Sequence, residues 1–283
     1  MPVAPIAVVV VAYRTPALDL SWIPEDEDVE IFVVHNDDRL DEGACRGPRI
    51  THLHPGRNLG FGAGVNLALA QMHDERRVVL CNPDIEATPL HWRALVDVEG
   101  DVVRAVPLND ATGAATSIVN RYPSPLAHLM TGWRLGRLIP RSSPLRRPLS
   151  RLLGLWGREH ARSLEPSSVA TYPLGSHWVC AGLISLPTLA LRQVGGFDPA
   201  YFLYFEDLDL SARLAAAFPG IEVEMAMTTP ATHLVGASSR GQVRTTDRHH
   251  LASCRRWARS QHGPGWLACR ALLAPRALLL VRR

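Results

Sequence analysis

The sequence lacks lysine altogether, and all thirty of its basic residues are arginine. The formal net charge is only +3 at pH 7, which is too small to indicate a nucleic-acid-binding protein. Apolar residues make up 47% of the chain and charged residues 20%, which excludes a disordered protein and is typical of a globular one. With 283 residues, the chain can form one large α/β domain or one domain with an appendage.

Paired cysteines are missing as well. The five cysteines are scattered, odd in number and never spaced as CxxC, which leaves no support for a zinc ribbon or a disulfide framework. This pattern is typical of a reducing cytosol. The start, "MPVAPIAVVVVAYR", has neither the basic region nor the cleavage site of a signal peptide. The apolar end, "ALLAPRALLLVRR", is too short to span a bilayer and is interrupted by Pro275 and Arg276. We therefore expect a cytoplasmic protein.

Three apolar runs rich in β-branched residues predict buried strands at 6–13, 29–36 and 77–82. The segment "GFGAGVNLALAQMHDE", between the second and third runs, has the apolar spacing of a helix. Further strands are expected at 101–108 and 176–187. Apolar strands that alternate with helices predict a mostly parallel sheet covered on both faces. Ligands bind such sheets beyond the carboxyl ends of the strands, so the polar residues after each strand are candidates for a site.

Three acidic residues, Glu206, Asp207 and Asp209, stand where the segment "EDLDLSARLAAAF" is expected to begin a helix. They could cap the free N–H groups of the helix and complement its dipole. Alternatively, a carboxylate beside an apolar wall can have a raised pKa and accept a proton from a hydroxyl. The two interpretations are compatible, because one acid can cap while its neighbour acts as a base.

Asp84 follows a buried strand in "VVLCNPDIEA", where Pro83 cannot extend a central strand. It either shapes the turn or holds a ligand. Together with His233 it could bind a divalent cation, and one carboxylate with one imidazole suits Mn²⁺ better than Mg²⁺. An ordinary structural role for His233 is the alternative. The stretch "HLVGASSR" could add backbone N–H groups that bind an anion.

Several common enzyme motifs are absent. The "GFGAG" stretch has the spacing G-x-G-x-G and does not follow a buried strand, so it does not fit a dinucleotide fingerprint. No GxSxG, HExxH or GxxxxGK[ST] motif occurs, which leaves hydrolase and kinase interpretations without support.

The segment from Arg121 to Arg162 carries nine arginines and a single acid, Glu159, and five prolines interrupt it. One interpretation is a solvated insertion. The other is a basic amphipathic segment that contacts an anionic membrane surface.

Seven motifs occur in an order that resembles glycosyltransferase family 2, and most closely its bacterial rhamnosyltransferase branch: "VVVVAYRT", "VVHNDD", "NLGFGAGVN", "NPDIE", "VCAGLISLP", "GGFDPAYFLYFEDLDLSARL" and "THLVGASS". The resemblance extends over residues 5–262. It implies an α/β protein with the GT-A fold, whose Rossmann-like, mostly parallel central sheet is flanked by helices. Residues 1–243 would form this domain, with a basic helical insertion at 121–170, and residues 244–283 a helical C-terminal extension.

The resemblance also implies roles for individual residues. Asp207 is the expected catalytic base beside Glu206, and Asp84 and His233 would hold a divalent metal, Mn²⁺ or Mg²⁺. Cys180, Ala181 and Gly182 match the acceptor site. The residues that match the nucleotide-sugar donor site are Ala12, Tyr13, Arg14, His35, Asn36, Asp37, Arg57, Asn58, Gly60, Asn66 and Asn82.

Two positions depart from the family pattern. The family usually has an aspartate, which reads the pyrimidine, where this chain has His35. An imidazole can still form a hydrogen bond with a uracil or thymine edge. Asn82 replaces the first acid of a DxD element, which favours the rhamnosyltransferase branch.

The leading hypothesis is an inverting, metal-dependent glycosyltransferase at the inner face of the plasma membrane. It would move rhamnose from a dTDP donor, or another sugar from a dTDP or UDP donor, to a polyprenyl-linked or other cell-surface glycan. One alternative is a soluble enzyme that glycosylates a small natural product. Another is a non-catalytic nucleotide-sugar-binding module, which the joint presence of Asp84, Asp207 and His233 disfavours.

Overall fold

The computed structural model describes residues 5–25, 28–73, 76–98, 100–135, 170–234 and 243–281. The strands, in chain order, are β1 Ile6–Ala12, β2 Leu18–Asp19, β3 Val29–His35, β4 Cys45–Arg46, β5 Ile50–Leu53, β6 Arg77–Cys81, β7 Ile85–Glu86, β8 Val103–Ala105, β9 Leu108–Asp110, β10 Ala115–Thr116, β11 Val119–Arg121, β12 Ala170–Pro173, β13 His177–Val179, β14 Leu183–Pro187, β15 Glu222–Met225 and β16 Ala231–His233. The helices are α1 Phe61–Leu69, α2 Pro89–Val96, α3 Pro125–Gly132, α4 Thr188–Gln193, α5 Glu206–Ala217, α6 Val243–Ser260 and α7 Pro264–Val281.

The core of the protein is an eight-stranded sheet with the order β12-β15-β8-β14-β6-β1-β3-β5. β1 pairs in parallel with β3 and β6, β3 with β5, and β8 with β15, whereas β14 and the edge strand β12 are antiparallel to their neighbours. All residues of β1, β6 and β14 are buried, as expected for strands that are covered on both faces. The predicted mostly parallel α/β sheet is therefore confirmed.

Two segments that the sequence predicts as single strands are each divided. The predicted strand at 176–187 forms β13 and β14, separated at Cys180–Gly182, because β13 pairs with β11 in a small second sheet while β14 lies in the central one. The predicted strand at 101–108 ends at β8, and β9 joins a four-stranded sheet with β10, β16 and β7. Pro107 lies between β8 and β9, where a proline cannot donate a ladder hydrogen bond.

The C-terminal helices α6 and α7 pack on α3 around a separate apolar cluster that contains Leu251, Cys254 and Leu273. Gly132 of α3 permits this approach, since a Cβ there would lie 2.4 Å from the Leu273 side chain. Within the described ranges, no helix combines enough length with enough apolar character to cross a membrane. Most of the predicted basic insertion at 121–170, and the glycine-serine stretch that follows Leu234, lie outside the described residues.

Candidate active site

The loops that follow β1 and β3 are joined at the carboxyl edge of the sheet. β1 and β3 are in register from Ile6–Val29 to Ala12–His35, so both strands end at the same level. The N–H of Asn36 donates to the Ala12 carbonyl at 2.8 Å. The N–H of Arg14 donates to Oδ2 of Asp37 at 3.0 Å. Polar residues that are 23 positions apart in the chain are thus held at one edge, as the sheet type predicts.

A pocket of about 310 Å³ opens at this edge. Asp37 lines it, and one oxygen of its carboxylate, Oδ1, is buried and has no hydrogen-bond partner among the described residues. A buried acceptor without a partner costs free energy unless a ligand or water supplies a donor. The pocket is lined by His35, Asn36, Asp37, Asp38, His54, Gly56 and Arg57.

A cluster of histidines forms the wall of this pocket. Nε2 of His35 lies 2.8 Å from Nδ1 of His52, and the rings of His35 and His54 stack with centroids 4.3 Å apart. Nε2 of His54 lies 2.9 Å from Oε1 of Glu42. Burial, together with the neighbouring imidazoles, lowers the pKa of His35, so its ring is neutral at pH 7. Because Nε2 of His35 already contacts His52, that nitrogen is engaged by another protein side chain.

Sequence reasoning identified His35 but missed His52, His54 and Glu42. A signal was present in "THLHP", where the two histidines alternate with Leu53 and so project from the same side of an extended segment. Their meeting with His35 depends on the parallel pairing of β5 with β3.

The segment before α1 is fastened to this edge by Asn36. Its amide donates to the Gly60 carbonyl at 3.1 Å and accepts from the Leu59 N–H at 3.2 Å. Oδ1 of Asn58 accepts from the Gly60 N–H at 2.9 Å. Gly60 has φ +83°, and a Cβ there would lie 2.2 Å from the Phe202 carbonyl oxygen. Only glycine allows this close approach, which brings the segment before α1 against the segment before α5.

Asn66 has a different position from the other predicted donor residues. Its amide donates to the Phe197 carbonyl at 2.7 Å and accepts from the Phe197 N–H at 2.8 Å. Both ends of the side chain are therefore used to join α1 to the loop that contains Gly196 and Phe197, and Asn66 is not among the residues that line the pocket.

Asp84 and His233 meet as the sequence predicts. Oδ1 of Asp84 lies 3.1 Å from Nε2 of His233, and Nδ2 of Asn82 lies 3.4 Å from the same nitrogen. The pairing of β16 with β7 aligns His233 with Ile85 and produces this contact. Within the part of the chain that the structure describes, no group of three or more His, Cys, Asp or Glu side chains is arranged to hold a metal by itself. One carboxylate and one imidazole fit a cation that also binds oxygens of its ligand.

The turn at Cys180–Gly182 lies between this pair and the acids of α5. The Asn82 N–H donates to the Gly182 carbonyl at 2.8 Å. On the other side, the Cys180 thiol and the Ala181 N–H form hydrogen bonds with the Asp207 carboxylate. The division of the predicted strand at 176–187 thus creates the turn that connects the Asn82 loop with Asp207.

The two acids at the start of α5 differ in their access to solvent. Glu206 is only 7% exposed, and its Oε2 has no partner among the described residues, whereas Asp207 is partly exposed. Burial is the main cause that raises the pKa of both carboxyls, and the charge of Asp207 raises that of Glu206 further. Hydrogen bonds, including one from the Leu208 N–H at 2.9 Å, oppose this shift for Asp207. Glu206 therefore retains its proton to a higher pH than Asp207 does.

The third acid, Asp209, is paired with Arg213 at 2.7 Å, one turn further along α5. The helix begins after two residues with left-handed backbone, Tyr204 (φ +67°) and Phe205 (φ +70°). Such conformations are strained for residues other than glycine and persist where the surroundings fix them. The turn before the two acids is therefore held by contacts from elsewhere in the protein.

Those contacts come from α6. Oγ of Ser253 donates to the Leu203 carbonyl at 2.9 Å, and the His249 ring stacks on Phe202 with centroids 4.2 Å apart. His250 contacts the rings of both Tyr204 and Phe205, and Arg256 pairs with Asp198 at 2.6 Å. Sequence reasoning did not identify these α6 residues as part of the site, because nothing in the local pattern of α6 indicates which segment it packs against.

Comparison with known proteins gives two kinds of similarity. No protein-family profile matches the chain. Two curated proteins of Mycobacterium tuberculosis, from strains CDC 1551 / Oshkosh and ATCC 25618 / H37Rv, are each 30% identical to it over 230 residues. The match covers 72% of this chain and 69% of each relative. Both are named N-acetylglucosaminyl-diphospho-decaprenol L-rhamnosyltransferase.

Among solved structures, S. aureus TarS 1-349 is similar with a TM-score of 0.50 and 10% identity, over 95% of this chain and 70% of that chain. GalNAc-T7, solved with UDP, GalNAc and Mn²⁺, is similar with a TM-score of 0.51 and 11% identity. The similarity covers 88% of this chain and 48% of the GalNAc-T7 chain, so this chain spans about half of that length. At these identities, the two similarities show the fold alone, which is the GT-A fold.

Proposed function

This chain belongs to the rhamnosyltransferase family of its mycobacterial relatives, and from that membership we propose that it transfers rhamnose from dTDP-rhamnose to a glycan hydroxyl with inversion of configuration. The acceptor would be a polyprenyl-linked or other cell-surface glycan, in line with the decaprenol-linked compound in the names of the relatives. Residues 1–243 would carry the reaction and residues 244–283 would form the helical extension. The protein would act at the cytoplasmic face of the membrane that holds the acceptor.

The observation that carries this proposal is the difference between the two carboxyls at the start of α5. Asp207 is partly exposed and accepts hydrogen bonds from Cys180, Ala181 and Leu208. These bonds fix its orientation and favour its ionised form. Glu206 is buried and holds its proton more tightly. Asp207 is therefore the carboxylate that can both reach an acceptor hydroxyl and accept its proton at neutral pH.

In the proposed reaction, the acceptor oxygen attacks the anomeric carbon while the bond from that carbon to the diphosphate breaks on the opposite face. Asp207 takes the hydroxyl proton as the new bond forms, so the products are the glycosylated acceptor and a nucleoside diphosphate, and the proton is left on the Asp207 carboxyl. One attack of this kind inverts the configuration, and its transition state resembles an oxocarbenium ion. The turn at Cys180–Gly182 would position the acceptor beside Asp207.

The donor nucleotide would occupy the pocket at the ends of β1 and β3. Oδ1 of Asp37 offers an acceptor to a hydroxyl or N–H of the nucleotide. The imidazole faces of His35 and His54 offer an aromatic wall to a base. Arg57 lines the same pocket and can neutralise phosphate charge. These residues suit a pyrimidine nucleotide, although the usual aspartate is replaced by His35.

Asp84 and His233 would hold the divalent cation, Mn²⁺ or Mg²⁺, whose charge stabilises the leaving diphosphate. Their contact at 3.1 Å supports this role, because the two side chains already lie within reach of a common ligand. Asn82 contributes an amide next to them instead of a second carboxylate.

The base is tested by Asp207→Asn. We expect this variant to lose transfer while it keeps its affinity for the donor nucleotide, because the amide cannot accept the proton but the pocket is unchanged. The matched control is Asp209→Asn, which alters an acid of the same helical turn that pairs with Arg213. Full transfer by Asp207→Asn, measured per folded molecule by release of the nucleoside diphosphate, would refute the assignment.

The metal and the nucleotide are tested by titration calorimetry with dTDP-, UDP- and GDP-sugars, each with Mn²⁺, with Mg²⁺ and with a chelator. We expect dTDP-sugars to bind most tightly and the cation to strengthen binding. Asp84→Ala should remove the effect of the cation and leave a weaker, cation-independent affinity. If wild-type affinity is the same with chelator as with Mn²⁺, then Asp84 and His233 do not hold a metal.

A further inference from the structure

Helix α7 exposes only apolar residues along its first three turns. The one arginine in this stretch is turned towards the protein, since Nε of Arg270 donates to the Ala258 carbonyl at 2.8 Å, and the next arginine of the helix, Arg276, is buried. A helix on the surface of a globular protein normally shows the opposite arrangement, with charged residues outward. The exposed residues of α7 from 264 to 275 are Pro264, Gly265, Leu267, Ala268, Ala271, Leu272, Ala274 and Pro275.

Helix α3 extends this apolar surface. It runs beside α7 in the same direction, since Pro125 approaches Gly265 and Nε1 of Trp133 donates to the Leu272 carbonyl at 3.0 Å. Leu126, in the first turn of α3, and Leu135, just after its end, are 49% and 36% exposed. We name the surface formed by Leu126, Leu135, Leu267 and Leu272, with the small apolar residues of α7, the α3–α7 face. Leu267 and Leu272 are 60% and 54% exposed. A continuous apolar surface of this kind marks a contact site.

The C-terminal helical segment that carries α7 is strongly basic. Residues 243–281 contain seven arginines and a single acid, Asp247, which is already paired with Arg134 at 3.0 Å. Arg259, near the end of α6, is exposed. An apolar face on a basic segment complements an anionic lipid surface, where leucines enter the acyl boundary and exposed arginines of the same segment meet the headgroups. A second copy of the chain would bring the same positive charge, so charge complementarity favours lipid over self-association.

The α3–α7 face also lies close to the acids of α5. Trp266 of α7 contacts the His128 ring with centroids 5.3 Å apart, and His128 in turn contacts Phe205, which directly precedes Glu206 and Asp207, at 5.2 Å. The rings of Trp266, His128 and Phe205 therefore connect this face with the turn that carries the two acids. We propose that the α3–α7 face docks the protein on an anionic bilayer and so presents Asp207 to an acceptor anchored in that bilayer. The presentation of Asp207 to an acceptor rests on the proposed function, whereas the docking of this face on a bilayer does not.

The test is flotation of the full chain with vesicles of phosphatidylcholine alone or mixed with phosphatidylglycerol. Wild type should float with the anionic vesicles. The double variant Leu267→Asp/Leu272→Asp should lose about tenfold or more in partition, because it places two charges at the apolar boundary. Leu189→Asp is the matched control, since Leu189 of α4 is 68% exposed outside this face. It should float like wild type, and thermal unfolding of all variants checks that they fold.

Arg259→Gln gives a second measurement that does not disturb the apolar residues. It should reduce flotation with anionic vesicles and leave the weak binding to neutral vesicles unchanged. Two results would overturn the proposal. One is a double variant that floats as well as wild type. The other is a wild type that fails to float but forms dimers, measured by sedimentation, which the double variant abolishes.

Transfer assays separate this proposal from the proposed function. The double variant should keep its kcat/KM towards a water-soluble, short-chain acceptor and lose it towards an acceptor embedded in anionic vesicles. An equal loss towards both acceptors would contradict docking. If wild type transfers sugar to neither acceptor while flotation behaves as expected, the proposed reaction is wrong and the docking surface stands.

Discussion

Replacing Glu206 with glutamine should make the protein progressively more stable, relative to wild type, as the pH rises from acid to neutral. Burial and the charge of Asp207 raise the pKa of Glu206 from its ordinary 4.5 to about 8. Between these values the folded protein holds a proton that the unfolded chain releases. The contribution of Glu206 to stability is therefore complete below pH 4.5 and is lost as the pH rises towards 8. A neutral glutamine never undergoes this loss.

The magnitude follows from the interval between the two pKa values. One pKa unit corresponds to about 1.4 kcal/mol, so wild type at pH 7 has lost about 3 kcal/mol that Glu206→Gln retains. The side chain is buried, so solvent screens this effect little. Any constant cost of placing an amide at this position shifts the whole curve and does not change with pH.

Urea unfolding, followed by tryptophan fluorescence, measures this difference at a series of pH values between 4.5 and 8.5. The free energy of unfolding of Glu206→Gln, minus that of wild type, should rise steadily across the series. Glu30→Gln is the control, because Glu30 is exposed on β3, and its difference from wild type should be flat. A flat difference for Glu206→Gln as well would show that Glu206 is not a buried, protonated acid, and the distinction drawn between Glu206 and Asp207 would fall.

Two further predictions concern the contacts that hold the site. Gly60→Ala should cost about 3 kcal/mol of stability and weaken donor binding, because its Cβ would collide with the Phe202 carbonyl. The control Gly56→Ala, also at positive φ but with nothing within 4 Å, should cost less. Urea unfolding and nucleotide titration measure the two effects, and equal stability costs for the two variants would contradict the collision. Ser253→Ala should lower the free energy of unfolding by about 1 kcal/mol and lower kcat while the nucleotide Kd stays constant. The variant leaves the Leu203 carbonyl without its hydrogen-bond donor and so loosens the turn before Glu206 and Asp207. An unchanged kcat would show that α6 does not position these acids.

The sheet and much of the site could be predicted from the sequence because their signals are local. Valine-rich runs such as 6–13 are typical of buried strands, and parallel strands separated by helices place the following polar residues at one edge. That rule predicted that Asn36, Asp37 and Asp84, which follow β3 and β6, lie at the same edge of the sheet. The helix at 206–217 was predicted independently, from the apolar spacing and the acidic start that are visible in the sequence.

Three features could not be predicted, because they depend on contacts between distant parts of the chain. The histidine cluster requires the pairing of β3 with β5, and the turn at Cys180–Gly182 requires β13 and β14 to join different sheets. The support of the Tyr204–Phe205 turn by α6 links segments about fifty residues apart.

The sequence by itself determined which residue types stand at the end of each strand, and that three acids stand in the first turn of α5. The resemblance to the family named Asp207 as the expected base, but the local pattern offered no physical reason to prefer it to the adjacent Glu206. Only the tertiary structure decided that one is buried and the other partly open, because burial and pKa depend on what packs around each carboxyl. In the same way, the apolar residues of α7 could equally have been core residues, and the packing of α3 and α6 decided which of them face outward.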